Sequence, residues 1–117
     1  MPGRPDLRQG RIVIAWISDR KGWQELRPVV ILTDDDAIQR DPEFVFAAVT
    51  TTFRDPSPRN VIPLPWHPRG HPVTGLSRRS AVVTDWLVVL RNEDVVGLGG
   101  DVPARILKSI IPKDEGD

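Results

Sequence analysis

Runs of β-branched and aromatic residues, each cut short by proline or glycine, dominate this sequence and constrain its fold. Residues 11–17 read RIVIAWI, 28–32 PVVIL, 43–50 EFVFAAVT, 61–64 VIPL and 80–90 SAVVTDWLVVL, with a further run at 92–98. Each is strand-length and strand-like in composition. The first is apolar almost throughout, which predicts burial on both faces. Pro28 is expected at the first position of its strand, and Pro63 marks 61–64 as an edge. Proline and glycine at 56, 58, 65, 68, 70, 72 and 75 keep the intervening segments as loops. No βαβ rhythm is present, so a doubly wound sheet is excluded. The spacing predicts a small, strongly bent antiparallel sheet or partly open barrel.

Two helices fit between these strands. Thr33 followed by Asp36 resembles a capping box opening a short helix, with the acids at its positive end. That makes the Asp34-Asp35-Asp36 run a helix start rather than a divalent-cation site. Asp101 is expected to cap a C-terminal helix over 102–110, with Pro103 in its first turn and Ile106, Leu107, Ile110 and Ile111 as its apolar stripe. The 117 residues form one expected domain, 1–117, with 1–9 and 112–117 flexible.

The chain has no cysteine and two histidines, which excludes disulfide scaffolds, thiolate metal sites and cysteine nucleophiles. His67 and His71 lie among prolines and are read as loop residues. No metal or cofactor is expected. No run is apolar enough to span a bilayer and the first ten residues lack a secretory apolar core, so a cytoplasmic protein without membrane contact is expected. Gly97, Gly99 and Gly100 lack the lysine of a phosphate-binding loop and are read as a tight strand-to-helix turn.

Net charge is zero, but thirteen of the sixteen basic residues are arginine. Five of these, Arg54, Arg59, Arg69, Arg78 and Arg79, fall in 54–79 against the single acid Asp55. Arginine matches phosphate bidentately. Arg27 stands before one strand and Thr50 at the end of the next. Together they make a poor general-base pair but a good phosphate clamp. RNA scission needs no enzyme nucleophile, because the 2′-hydroxyl attacks. The inventory therefore admits a metal-free ribonuclease, while Arg27 and Thr50 read equally as an edge cation and a strand former.

The order of these segments resembles the MazF/PemK family of bacterial toxins. The resemblance rests on Gly10-x-Ile12-Val13, Arg27-Pro28-Val29-Val30-Ile31-Leu32, Ala47-Ala48-Val49-Thr50-Thr51, Thr74-Gly75-Leu76 with Ser80, and the closing strand and helix over 95–110. It implies an SH3-like small barrel with a C-terminal α-helix, and a homodimeric, metal-independent endoribonuclease that cleaves single-stranded mRNA. The expected products are a 2′,3′-cyclic phosphate and a 5′-hydroxyl, and a cognate antitoxin is the expected protein partner. The family's catalytic arginine and threonine fall on Arg27 and Thr50. Its occasional strand aspartate falls nearest Asp85. Glu25 stands in for the glutamate of the family's loop, which here is shortened to Gly22-Trp23-Gln24-Glu25-Leu26. Trp86 stands where many members have glutamine and is read as core or dimer surface. Trp23, Thr51, Arg54, Arg78 and Arg79 are the expected RNA contacts, and Phe53 and Trp66 are candidates for stacking on bases or for anchoring loops. The alternative is a non-catalytic module of the same fold that binds a protein or nucleic acid. The enzyme requires Arg27 and Thr50 to meet at one hollow. The module predicts Arg27 tied up by Glu25 or Asp85.

Overall fold

The computed structural model describes residues 6–19 and 21–111. Six strands form one antiparallel sheet: β1 (Arg11–Ser18), β2 (Gln24–Ile31), β3 (Glu43–Thr50), β4 (Val61–Leu64), β5 (Ser80–Arg91) and β6 (Val95–Asp101). Among the described residues two short α-helices accompany them, α1 (Asp35–Arg40) and α2 (Ala104–Ile110). The strand expected at 92–98 instead runs Val95–Asp101 after a 3-10 turn at Asn92–Asp94, where the Arg91 N–H donates to the Asp94 carboxylate. The spatial order is β4-β5-β3-β2-β1-β6. The sheet is strongly bent but not closed, with β4 and β6 as its edges.

Period-two alternation sends neighbouring residues of one strand into two separate cores. Val13, Ala15 and Ile17 of β1 join Val29, Ile31, Phe44 and Phe46 in the first. Ile12 joins Val30, Val49, Val82 and Leu64 in the second, which α2 caps with Ile110. The expected burial on both faces holds only at Ile12, because the same face carries half-buried Ile14 and exposed Trp16 further along the strand.

Several local expectations are corrected. β2 begins at Gln24, not Pro28, because the hairpin around Gly22 keeps pairing through Ser18↔Gln24 and Ala15↔Arg27. Pro28 therefore lies inside the strand, just before pairing with β3 starts at Val29. The cap of α1 is Asp34, whose side chain accepts from the Ala37 N–H at 2.8 Å. Thr33 instead accepts from the Val45 N–H, and Asp35 from that of Gln9. Asp101 does not cap α2, which starts at Ala104 without a side-chain cap. It ends β6 and pairs bidentately with Arg8. The lead-in is not free from residue 6 onward: Leu7 is 3% exposed in the first core. The expected flexibility of 1–5 and 112–117 lies outside the described residues.

Gly97, Gly99 and Gly100 belong to β6 rather than to a turn. A Cβ on Gly100 would overlap the Val73 carbonyl. The 73–74 loop docks there through Gly100 N–H to Thr74 O and Asp101 N–H to Val73 O. His67 and His71 are loop residues as read, their Nδ1 atoms accepting backbone N–H groups of Arg69, Val73 and Thr74.

One irregularity positions the candidate site. Against β3, the register of β5 moves from Ala47↔Leu87 to Val49↔Val82. Residues 83–86 of β5 thus stand opposite Ala48 alone. An excess of residues on one strand bends it and re-aims its side chains. Here Trp86 meets Arg27 of β2, while Asp85 meets Asn60 ahead of β4.

Candidate active site

Arg27 lies on the same face of β2 as Glu25, two residues earlier, and the pair forms an ion pair at 2.8 Å. Its Nε donates to Glu25 Oε1, and its Nη1 donates to the carbonyl of Val49 at 3.0 Å. The guanidinium carbon lies 4.8 Å from the ring centroid of Trp86. The side chain is 23% exposed. Three contacts therefore hold one planar cation at the end of β3. These contacts use Nε and Nη1, two of the nitrogens of a group that carries five N–H donors.

Trp86 forms one wall of an open hollow of about 470 Å³. Thr50, Thr52, Asn60, Asp19 and Lys21 contribute its polar lining. The Thr50 hydroxyl accepts from the Thr52 N–H at 3.1 Å and donates to the Thr52 carbonyl at 3.3 Å. Asp19 shapes the hairpin that carries Lys21, accepting from the N–H groups of Lys21 and Trp23. On the opposite side Asn60 is tied to the β5 bend. Its carbonyl accepts from both the backbone N–H and the hydroxyl of Thr84, and its Nδ2 donates to Asp85 Oδ1 at 3.0 Å.

Arg27, Glu25 and Thr50 are thus brought to one end of the sheet, joined through Trp86. Arg27 pairs with Glu25, the outcome expected of the non-catalytic module, and it does not itself line the hollow of Thr50 but lies behind the Trp86 wall. Asp85 is exposed and engages Asn60 rather than Arg27. The expected RNA contacts do not converge there. Trp23 is 71% exposed at the hairpin. Thr51 and Arg78 line a separate hollow with Pro28 and Leu76. Arg54 and Arg79 line two others. The local excess of arginine carried no information on direction, and loop geometry spreads it.

Lys21, Asn60 and the site-facing role of Trp86 escaped the sequence reading. Lys21 and Asn60 sit next to turn-forming residues, which is a weak signal. Trp86 reaches Arg27 only because of the β5 register shift. Among the described residues, no group of three or more His, Asp or Glu is placed to hold a metal ion. No helix of the described chain is long and apolar enough to cross a membrane.

No protein-family model and no curated protein matches the sequence. Solved structures do match in three dimensions. MazF from Deinococcus radiodurans superposes with a TM-score of 0.69 at 18% identity, covering 89% of this chain and 88% of that one. This chain has the MazF fold. The Mycobacterium tuberculosis toxin MazF-mt6 gives a TM-score of 0.67 at 24% identity, covering 86% and 87% of the two chains. An endoribonuclease in complex with its cognate antitoxin, from a mycobacterial species, gives 0.67 at 16%, covering 89% and 86%. The MazF fold accounts for the bent six-stranded sheet and the C-terminal helix together. Identities this low carry the fold, and activity has to be argued from the residues at the hollow.

Proposed function

We propose that this protein is a MazF-like endoribonuclease, the toxin of a toxin–antitoxin pair, acting in the cytoplasm as a homodimer on single-stranded mRNA and restrained by a cognate antitoxin. The observation that carries the reading is Arg27 clamped by Glu25, Val49 and Trp86 beside the hollow of Thr50. Structural neighbours named as endoribonucleases, one with its antitoxin, support it.

In the proposed reaction the RNA 2′-oxygen attacks the adjacent phosphorus. A P–O2′ bond forms and the P–O5′ bond breaks, giving a 2′,3′-cyclic phosphate and a 5′-hydroxyl. The proton leaving the 2′-hydroxyl passes to a carboxylate, Glu25 or Asp85, and the departing 5′-oxygen takes a proton from water in the open hollow, the carboxylic acid then returning its own to solvent. Arg27 meets the charge that builds on the non-bridging oxygens, where a preorganised donor is most effective. The Thr50 hydroxyl orients the phosphate, and Lys21 adds positive charge at the rim of the hollow. No step needs a metal ion.

The test is a cleavage assay with EDTA on a long unstructured RNA, alongside Arg27→Ala. Discrete fragments ending in 2′,3′-cyclic phosphate, absent with a folded Arg27→Ala variant, are expected. The Arg27–Glu25 ion pair favours the non-catalytic module as the second reading. Intact RNA across many sequences selects it.

A further inference from the structure

The hollow at Thr50 continues along the 51–58 loop. A second hollow of about 400 Å³ shares Thr52, Pro58 and Val61 with it and adds Phe53 and Arg54. Phe53 in turn belongs to a third pocket of about 180 Å³. Trp66, Leu64 and Arg79 complete the walls of that pocket, and Asp55 and Ser57 contribute polar atoms.

The pocket is built from rigid, flat groups. The Arg79 guanidinium carbon lies 3.6 Å from the Phe53 ring centroid, and Nη1 donates to the Phe53 carbonyl at 2.9 Å. The side chain is nonetheless exposed and lines the pocket. Trp66 is 43% exposed. The loop that carries it is pinned by Thr74 Oγ1 donating to Pro65 O and by His67 N–H donating to Leu76 O. A fixed aromatic ring and a fixed guanidinium plane are the two platforms on which unpaired bases stack. The volume suits a single planar ring system and falls below the roughly 300–1,000 Å³ of sites for whole small ligands. The Asp55 carboxylate disfavours a phosphate inside the pocket, so the backbone of the strand stays outside.

We propose that the Phe53–Trp66–Arg79 pocket is a stacking subsite for one unpaired base of single-stranded RNA, reached from the Thr50 hollow along residues 52–58. The proposal rests on the ribonuclease reading for the position of the scissile phosphate. The walls shared in succession through Thr52, Pro58, Val61 and Phe53, with Arg54 and Arg79 beside them, favour RNA over a side chain of a protein partner. The subsite acts on substrate length: a strand that reaches it binds more tightly than one that stops at Thr50.

The experiment uses the full chain and fluorescein-labelled 2′-O-methyl oligoribonucleotides of mixed sequence, which lack the attacking hydroxyl. One probe has about ten nucleotides and one about four, within the range of single-strand sites. Fluorescence anisotropy is expected to show the long probe binding roughly 5- to 100-fold more tightly. Trp66→Ala and Arg79→Ala are expected to remove most of that difference and leave the short probe unchanged, whereas Trp66→Phe keeps it. Equal binding of both probes, no binding of either, or equal losses on both in the variants overturns the subsite. Binding of RNA that ignores Trp66→Ala also overturns it and leaves the pocket to a protein side chain. Cleavage of unmodified RNA is followed in parallel. Trp66-dependent binding of the long probe without cleavage removes the ribonuclease reading and keeps the subsite. Cleavage with Trp66-independent binding does the reverse.

Discussion

The Arg27 guanidinium stacks on the Trp86 ring at 4.8 Å, joining the middle of β2 to the bend of β5. Removing that ring frees the cation to swing while leaving its charge in place. Trp86→Ala is expected to lower kcat for RNA cleavage by roughly 2- to 30-fold, the range of a cation–π contact. Trp86→Phe is expected to retain most of the rate. The check is single-turnover cleavage of one RNA by all three proteins. An unchanged rate in a folded Trp86→Ala protein removes Trp86 from the site.

Arg27 meets Glu25, Val49 and Trp86 with one planar fork. Lysine keeps the charge but offers no plane and no pair of directed donors. Arg27→Lys is therefore expected to fall about 100- to 1,000-fold in cleavage, the cost of losing one preorganised donor at a developing charge. The thermal midpoint is expected to stay close to that of the parent. Near-parental cleavage by the lysine variant shows that charge alone suffices.

Helix α1 separates the three aspartates by role. Asp34 caps it, and Asp36 holds no such position. Asp34→Ala is expected to cost about 0.5–2 kcal/mol in urea denaturation. Asp36→Ala is expected to change stability by less than about 0.5 kcal/mol. Equal effects show that the acids act only as first-turn charges.

Gly100 and Gly22 test two different reasons for glycine. A Cβ on Gly100 would sit 2.6 Å from the carbonyl carbon of Thr74 and overlap Val73 O, both backbone. Gly22 has φ +86° and nothing within 4 Å of such a Cβ. Gly22→Ala is expected to cost about 1–2 kcal/mol, from backbone conformation alone. Gly100→Ala is expected to cost more than about 3 kcal/mol, because the 73–74 loop has to leave β6. Denaturant midpoints rank the two.

What the sequence disclosed follows the range of each interaction. β3 and β4 begin and end where read, because local composition and the prolines after residues 50 and 64 bound them. β2 starts earlier than read because Pro28 suggested a boundary, whereas cross-strand pairing with β1 carries the strand back to Gln24. Asp101 has the local signature of a helix cap, but Arg8, 93 residues away, claims its carboxylate. No window around Asp101 contains that competitor. At the candidate site, Arg27 and Thr50 stand out from residue type and strand position. Trp86 and Asn60 do not, since their placement depends on a register shift between strands distant in sequence. The five arginines of 54–79 are visible as charge, but composition is silent on which hollow each one faces.

The bend in β5 divides its allegiance. Val82 packs in one core, while Val88 and Leu90 lie against the other. Trp86 lies with Val88 and Leu90, so Thr84 and Asp85 occupy the joint, and Asn60 braces it through both. Through Thr84 and Asp85, one lining residue of the hollow, Asn60, is thus fastened to a strand that both cores share.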